Sequence, residues 1–451
     1  QPGQVIHMRA LALSTFDLTP ARGATVNFLV EDPKGNKVYR ESATTSDFGV
    51  AAADFQLADL VNQGSYKISV SIGDTGESVT RSEKTVEVRP YVLPKFGLEL
   101  STDRSFYLPG QRVEGVVQAD YFFGKPVAES EVRIVGSVWD VERTVVVELQ
   151  GQTDESGAFE FEFDLPEYFA GSGLEAGQAN GCCLSAFALE VTVVDQTDHA
   201  EQTSSVLPVA AQPLVIEAVA ESGKLKPGVE NLVYVLTSYP DGRPAPAELQ
   251  ISVNGGEPTE LASGEFGLAQ FAFTPRAGAS HSLDISAQDE TGLEAHRQIS
   301  FEAERGGDSV LLRADRAAYV VGETMDLAAL TPVDSGSIYL DIVKDGQTLS
   351  TRSAQVQDGS AEFAVDVSPD LYGTLELHAY KVLLEGAIVR DTRVVVVDAP
   401  NDVAIEVTAD KETYLPGEMA AIDFQTSDAD GAGLQTALGL AIGDESVFAL
   451  Q

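Results

Sequence analysis

Tyr107-Leu108-Pro109-Gly110-Gln111 and Tyr414-Leu415-Pro416-Gly417-Glu418 are two copies of one short motif. Pro2-Gly3-Gln4 matches its second half, and Lys226-Pro227-Gly228 and Tyr319-Val320-Val321-Gly322-Glu323 are weaker copies. The position before glycine falls at 2, 109, 227, 321 and 416, so consecutive copies lie 107, 118, 94 and 95 residues apart. A period near 100 residues is too long for a solenoid repeat and suits a string of β-sandwich domains. We therefore predict an all-β chain, a tandem array of antiparallel β-sandwich domains.

Short alternating runs support this prediction. Phe159, Phe161 and Phe163 alternate with glutamates, which is the pattern of a half-buried strand, and we expect the three rings to be buried on one face. Arg393–Asp398 contains four consecutive valines and is interpreted as a strand covered on both faces. No stretch keeps a helical period over three turns, so we expect helix only in short turns.

Proline-marked links divide the chain into expected domains. The boundaries place domains at residues 1–92, with its first strand truncated, at 93–208, at 209–305 and at 306–399, with the first part of a further domain at 400–451. The links hold only a few residues, so we expect neighbouring domains to touch rather than swing freely.

The composition excludes several classes of protein. The chain has 451 residues and a formal net charge of −41, which disfavours nucleic acid and anionic membranes as partners. The two cysteines are adjacent, none of the seven asparagines lies in a glycosylation sequon, and no apolar run approaches the length of a membrane span. These features favour an extracytoplasmic protein that is periplasmic, cell-surface or secreted. The sequence begins in mid-motif without a signal peptide, and we interpret Gln1 as a processed or incomplete end.

No residues are assigned to catalysis, to a cofactor or to a metal, and we predict that the chain is not an enzyme. The five histidines are scattered, and no nucleophile elbow or P-loop occurs. The carboxylates of Asp195–Asp198 and Asp428–Asp430 could hold Ca²⁺ in principle but lack the spacing of an EF-hand, so solvated turns are the preferred interpretation. The glycine-rich stretch 170–181, which precedes Cys182 and Cys183, is interpreted as a long hairpin insertion.

Several motifs resemble those of the alpha-2-macroglobulin and complement superfamily. Its third macroglobulin domain is similar to Tyr91–Phe96, Tyr107–Gly110 and Tyr121–Val127, the preceding domain to Glu31–Asn36 and Gly64–Lys67, and the first half of the sixth to Asp410–Glu418 and Asp444–Leu450. The other two domains are identified mainly by position, and the few cysteines and missing sequons look like those of a bacterial member. The resemblance implies that this segment runs from the second macroglobulin domain to the opening half of the sixth.

The resemblance also implies a function. Members of the family entrap proteases after cleavage of a bait region, and the bait would follow Gln451. The family's thioester lies in a Cys-Gly-Glu-Gln motif, whereas Cys183 is followed by Leu184 and Ser185, so neither cysteine is a thioester candidate. The segment would then be the scaffold half of an endopeptidase inhibitor. Its partners would be proteases, through regions beyond Gln451, together with neighbouring macroglobulin domains and the C-terminal half of the same protein. The alternative is a structural or adhesin stalk built from similar sandwiches.

Overall fold

The computed structural model describes residues 1–14, 19–73, 80–89, 95–139, 142–169, 174–175, 184–398, 403–414, 418–428 and 431–440. In these ranges the regular structure consists of β-strands and a single 3₁₀ turn at Pro369–Leu371. The strands form antiparallel sheets, which confirms the predicted all-β class. No helix in the same ranges is both long enough and apolar enough to cross a membrane.

The first sandwich packs a two-stranded sheet, in the order β1-β4, on a four-stranded sheet, in the order β3-β2-β5-β6. Val26, Phe28, Val30 and Tyr66 are at most 2% exposed between the two sheets. The strands are β1 (Val5–Leu11), β2 (Thr25–Glu31), β3 (Lys37–Thr44), β4 (Val50–Gln56), β5 (Gly64–Ile72) and β6 (Thr80–Val88).

The second sandwich packs a three-stranded sheet, β11-β8-β7, on a four-stranded sheet, β10-β9-β14-β15. The short strands β12 and β13 pair with each other antiparallel, and β15 continues two residues past the expected boundary at residue 208. The strands are β7 (Phe96–Thr102), β8 (Arg112–Tyr121), β9 (Glu131–Trp139), β10 (Arg143–Gln152), β11 (Ala158–Asp164), β12 (Tyr168–Phe169), β13 (Leu174–Glu175), β14 (Leu184–Val194) and β15 (Ala200–Ala210).

The third sandwich repeats this plan, with the sheets β16-β17-β20 and β19-β18-β21-β22. Its core is centred on Val233, Val235, Ile251 and Ile285, each fully buried. The strands are β16 (Val215–Ala220), β17 (Asn231–Ser238), β18 (Ala247–Val253), β19 (Thr259–Ala262), β20 (Leu268–Phe273), β21 (Ser280–Asp289) and β22 (Glu294–Glu302).

The fourth sandwich has the sheets β23-β25-β28 and β24-β30-β29-β26-β27, and β24 pairs with β30 in parallel. Its strands are β23 (Leu311–Ala314), β24 (Ala318–Val320), β25 (Thr324–Leu330), β26 (Ser337–Lys344), β27 (Gln347–Gln355), β28 (Ser360–Asp366), β29 (Gly373–Val382) and β30 (Ile388–Asp398). An antiparallel pair, β31 (Ala404–Ala409) with β32 (Ile422–Ser427), follows it.

The alternating phenylalanines lie on β11 as the sequence predicted. Phe161 and Phe163 are 6% and 9% exposed, and the ring of Phe163 stacks on Phe187 of the opposite sheet at 5.5 Å. Phe159 shares their face but is only half-buried at the edge of the core, where its ring covers Gly151. The prediction is confirmed for the inner two rings and overstated for the third.

The interpretation of Arg393–Asp398 as a strand covered on both faces is wrong. On β30, Val395 and Val397 are buried, whereas Val394 and Val396 are 58% and 42% exposed. The reason is that β30 belongs to a sheet with one face on the core, so consecutive valines point alternately inward and outward.

The repeated motif is the point where the chain crosses from one sheet of a sandwich to the other. Tyr107 leaves the sheet of β7 and pairs in parallel with Val209 on β15, and Leu225 and Tyr319 make the same crossing to Ala303 and Val397. At each crossing the side chain at the tyrosine position of the motif fills the core between the two sheets. The three residues are at most 1% exposed.

A carboxylate four residues earlier holds the crossing tyrosine. The Tyr107 hydroxyl donates to Asp103 Oδ1 at 2.6 Å, and the same oxygen accepts the Glu114 N–H at 3.0 Å. Burial and this hydrogen bond together raise the pKa of Tyr107 to about 12. The fourth sandwich repeats the pair with Tyr319 and Asp315.

The glycine of the motif is required by the backbone. Gly3, Gly110, Gly228 and Gly322 have φ between 76° and 100°, a region that costs other L-residues about 1–2 kcal/mol. In each of these four copies the glycine N–H donates to a carbonyl in the loop that follows β4, β11, β20 or β28, at 2.8–3.2 Å. The loops at this end of each sandwich are thereby tied together.

Candidate functional site at the interdomain joints

The carboxylate loop at Asp195 is a buried turn rather than a solvated one. Asp195 is 5% exposed, and its Oδ1 accepts the backbone N–H groups of Thr197 and His199 at 2.8 and 3.0 Å. Tyr121 donates its hydroxyl to Oδ2 at 3.1 Å. Burial alone would raise the pKa of Asp195, but these donors outweigh it and lower the pKa. The carboxylate is occupied in holding a hairpin.

The other residues that the sequence singled out are not brought together. His7 pairs with Asp54 in the first sandwich, while His281 is buried in the third beside Asn254. Asp428 accepts the Ala432 N–H, and residues 429–430 lie outside the described residues, as do Cys182 and Cys183. Within the described ranges no three His, Cys, Asp or Glu side chains gather as a metal site would require.

Chain topology makes neighbouring sandwiches meet head to tail. The first strand of a sandwich starts beside the turn that follows its second strand, as Phe96 does beside Tyr121 and Val215 beside Ser238. The last strand ends beside the motif loop, where the Tyr107 N–H donates to Pro208 O at 2.9 Å. We call these the turn end and the motif end. The motif end of one sandwich therefore faces the turn end of the next.

The joint between the second and third sandwiches is built from aromatic and polar contacts. Phe106, in the motif loop of the second, stacks on Tyr239 of the third with ring centroids 6.1 Å apart. Arg243 lies over the same tyrosine at 5.3 Å and donates to Ser105 Oγ at 3.1 Å. Burial would raise the pKa of Asp241, but hydrogen bonds from Ser105 and Arg243 lower it. The motif loop of the second sandwich is thus bound to the Tyr239 turn of the third by ring stacking and by contacts of the Arg243 guanidinium.

The link between these two sandwiches is also fixed. Gln212 accepts the His296 N–H through Oε1 at 2.6 Å and donates through Nε2 to the His296 carbonyl at 3.0 Å. This reciprocal pair fastens the link to the last strand of the third sandwich, so the link does not act as a free tether.

The joint between the third and fourth sandwiches contains a buried cation. The Lys226 side chain is only 4% exposed, and its Nζ donates to Glu304 Oε1 at 2.6 Å within the third sandwich. The same Nζ donates to the Arg390 carbonyl of the fourth sandwich at 2.9 Å and lies 3.8 Å from Asp391. A charged group so buried is tolerated only because it is surrounded by acceptors from both sandwiches.

Asp391 is the matching anion on the other side of this joint. It accepts Ser222 Oγ of the third sandwich at 3.0 Å and the Leu312 N–H of its own at 2.9 Å. Arg393 adds an ion pair at 3.1 Å whose geometry is not that of a hydrogen bond. With its side chain 7% exposed, Asp391 connects the backbone of the fourth sandwich to the motif loop of the third.

A second ion pair and a close approach complete the joint. Arg313 donates to both carboxylate oxygens of Glu221 at 2.7 and 2.9 Å, and these hydrogen bonds raise the pKa of Arg313. Ser309 Oγ donates to the Pro227 carbonyl at 2.8 Å. A Cβ added at Gly228 would lie 2.8 Å from the Cβ of Pro332, so the motif glycine packs directly against the proline ring of the fourth sandwich. The joint is polar, largely buried and held by contacts from both sandwiches.

Sequence reasoning did not find this joint, although a signal was present. The third motif copy carries Leu225 where the others have tyrosine, and Glu221 where they have aspartate. Glu221 still accepts the N–H eleven residues on, at Leu232, but without a tyrosine partner it also binds Arg313 across the joint. The departure from the repeat marks the residue recruited to the interface.

Three family models match this chain in order. The MG2 domain matches residues 1–88, the macroglobulin domain MG3 matches 90–168, and the alpha-2-macroglobulin bait region domain matches 310–450. The larger part of the last span, 310–398, folds as the fourth sandwich, whereas the sequence analysis placed the bait after Gln451.

Two curated relatives each match more than half of the chain. Alpha-2-macroglobulin of Thermotoga maritima is 25% identical over 433 residues, which are 95% of this chain and 26% of that protein. Thioester-containing protein 1 allele S3 of Anopheles gambiae is 26% identical over 64% of this chain and 20% of that protein. The chain thus spans about a fifth to a quarter of the length of these curated relatives.

Among solved structures, trypsin-activated alpha-2-macroglobulin from Escherichia coli aligns with a TM-score of 0.50 and 14% identity. The alignment covers 95% of this chain and 32% of that one. At this identity the likeness concerns the fold alone, and it agrees with the stacked sandwiches described above.

Proposed function

This chain belongs to the alpha-2-macroglobulin superfamily, and on that premise we propose that it is the scaffold part of a protein that entraps endopeptidases after bait cleavage. The observation that carries the proposal is the buried polar joint between the third and fourth sandwiches, where Lys226 and Asp391 each bind groups from both domains. A string of independent modules would not need such a joint. A frame that must hold its shape while another region is cut does need its domains to be fixed to one another.

The cleaved segment, in this proposal, follows the pair β31–β32 and is not part of the fourth sandwich. Proteases cut segments that can extend into their active sites, and the strands of the fourth sandwich are paired and packed. The match of the bait-region model to residues 310–450 supports a bait close to this end of the chain. Any thioester would lie outside residues 1–451.

The scaffold itself would carry no catalytic chemistry. The acidic side chains with shifted pKa values, such as Asp195 and Asp241, are used up in turns and joints. We propose an extracytoplasmic location, where foreign endopeptidases would be met, and contacts with the C-terminal half of the same protein as the remainder of the trap.

A substrate-size experiment tests the proposal. The full-length protein and the segment 1–451 are each mixed with an endopeptidase, and hydrolysis of a large protein substrate and of a small peptide substrate is followed. The full-length protein should block digestion of the large substrate and spare that of the small one, because a trapped protease remains accessible to small molecules. The segment alone should block neither. Protection by the segment alone would indicate a direct inhibitor, and no protection by the full-length protein would favour a structural stalk.

A further inference from the structure

The turn end of the second sandwich carries an exposed aromatic turn. In Tyr121–Lys125 the Tyr121 N–H donates to the Lys125 carbonyl at 2.8 Å, and Phe123 stacks on Tyr121 at 5.1 Å. Phe122 and Phe123 are nevertheless 61% and 72% exposed. Two adjacent phenylalanines this exposed at the tip of a turn are unusual for a surface that stays in water.

The equivalent turn of the third sandwich is covered. Tyr239–Arg243 has the same backbone hydrogen bonds as Tyr121–Lys125, and its tyrosine likewise donates to a buried aspartate, Asp289. The motif loop of the preceding sandwich lies on it through Phe106. The fourth sandwich follows the same rule, since Pro332, in the turn after β25, meets the preceding motif glycine, Gly228. Two joints in this chain thus place a motif end on a turn end.

We propose that the turn Tyr121–Lys125 is the docking surface for the motif end of the first sandwich, formed by Gln1–Gly3 and the loop that contains Leu60. The chain connects these two ends directly, because β6 leaves the first sandwich at its motif end and β7 starts beside Tyr121. Seven residues separate β6 from β7, whereas four residues separate β15 from β16 and eight separate β22 from β23. Such a link spans at most about 28 Å.

The two surfaces are complementary. Leu60 is 94% exposed at the motif end of the first sandwich and offers an apolar side chain to the two phenylalanines. The neighbouring Asp59 is exposed and lies beside Gly3, while Lys125 is exposed on the aromatic turn. Docking would bury Leu60 against the two phenylalanines and would pair Asp59 with Lys125. The joint at Tyr239 likewise combines an aromatic ring with a charged group, Arg243.

Cysteine cross-linking tests this surface. Leu60→Cys and Phe123→Cys are combined in a Cys182→Ser/Cys183→Ser background, and disulfide formation within one chain is followed under mild oxidation. The matched control moves the first cysteine to the turn end of the first sandwich with Asp47→Cys. We expect the Leu60 pair to close at least roughly tenfold faster, because docking raises the local concentration of one thiol around the other. Equal rates for the two pairs would overturn the proposal.

A second measurement uses the native chain and depends on no engineered thiol. A short amine-reactive cross-linker should join Lys125 to Lys34, which is exposed near the motif end of the first sandwich, in preference to Lys84 on the middle of β6. Phe122→Ser with Phe123→Ser should abolish this preference while leaving cross-links within each sandwich intact. If the preference for the Lys34–Lys125 cross-link persisted in that variant, the short segment between β6 and β7, and not a contact between the two surfaces, would bring the lysines together. That result would also refute the proposal.

Discussion

Replacing Lys226 with methionine removes the cation at the centre of the joint between the third and fourth sandwiches. Methionine keeps the apolar stem but removes the donor to Glu304 at 2.6 Å and to the Arg390 carbonyl at 2.9 Å. Removing one partner of a buried ion pair costs about 3–5 kcal/mol, because the other charge is left unpaired. Glu304 is 33% exposed and regains water, so we expect a cost of about 2–3 kcal/mol, just below that range.

The readout is native-state hydrogen exchange at the joint in the whole chain. The Leu312 N–H donates to Asp391 and should exchange only when the joint opens. A loss of about 2–3 kcal/mol corresponds to exchange roughly 30- to 150-fold faster. The matched control is Lys224→Met, whose side chain is 61% exposed and 3.8 Å from Glu302, and which should cost less than about 0.5 kcal/mol. Equal exchange rates in the two variants would refute the interpretation of Lys226 as the lock of this joint.

Three further expectations follow from the same geometry. Gly228→Ala should destabilise the chain by about 1–2 kcal/mol more than Gly110→Ala in urea unfolding, because both glycines have φ of 76° but only the first meets a proline across the joint; equal costs would show that this contact is loose. The free energy of unfolding should fall as pH rises from about 10 to 12, since burial raises the pKa of both Tyr107 and Tyr319 to about 12 and the unfolded chain releases these protons first. The double variant Tyr107→Phe/Tyr319→Phe should make this dependence on pH weaker. An unchanged dependence would contradict the assignment of the effect to these two tyrosines. Phe161→Ala should cost about 3–5 kcal/mol through lost transfer energy and a cavity, and a cost below about 1 kcal/mol in urea unfolding would contradict its buried position.

Local patterns carried most of the fold. Alternation at Phe159–Phe163 predicted a strand and its buried face, because side chains on a strand point alternately to its two sides. The spacing of the Pro-Gly copies predicted a series of similar domains, since the three central copies, at Tyr107, Leu225 and Tyr319, make the same crossing between sheets. The four consecutive valines in β30 led to the wrong prediction of a strand covered on both faces, because apolar content alone does not show whether the outer face of a sheet is covered.

The joints could not be predicted in the same way. Lys226 and Asp391 are 165 residues apart in sequence but 3.8 Å apart in space, and no local pattern connects them. Only the changes within the motif itself, Leu225 for tyrosine and Glu221 for aspartate, pointed to an unusual third copy. Asp195 was misjudged as solvated because a turn sequence does not reveal that Tyr121, on another strand, closes over the carboxylate.

The most direct test of the scaffold proposal is the position of the first protease cut in the full-length protein. A trace of endopeptidase is added, and the earliest cleavage products are identified by mass spectrometry and N-terminal sequencing. The proposal predicts a first cut beyond β32, with residues 95–398 recovered as one intact piece. A first cut inside residues 95–398 would contradict it, because the segment would then be the trigger of the trap rather than its frame.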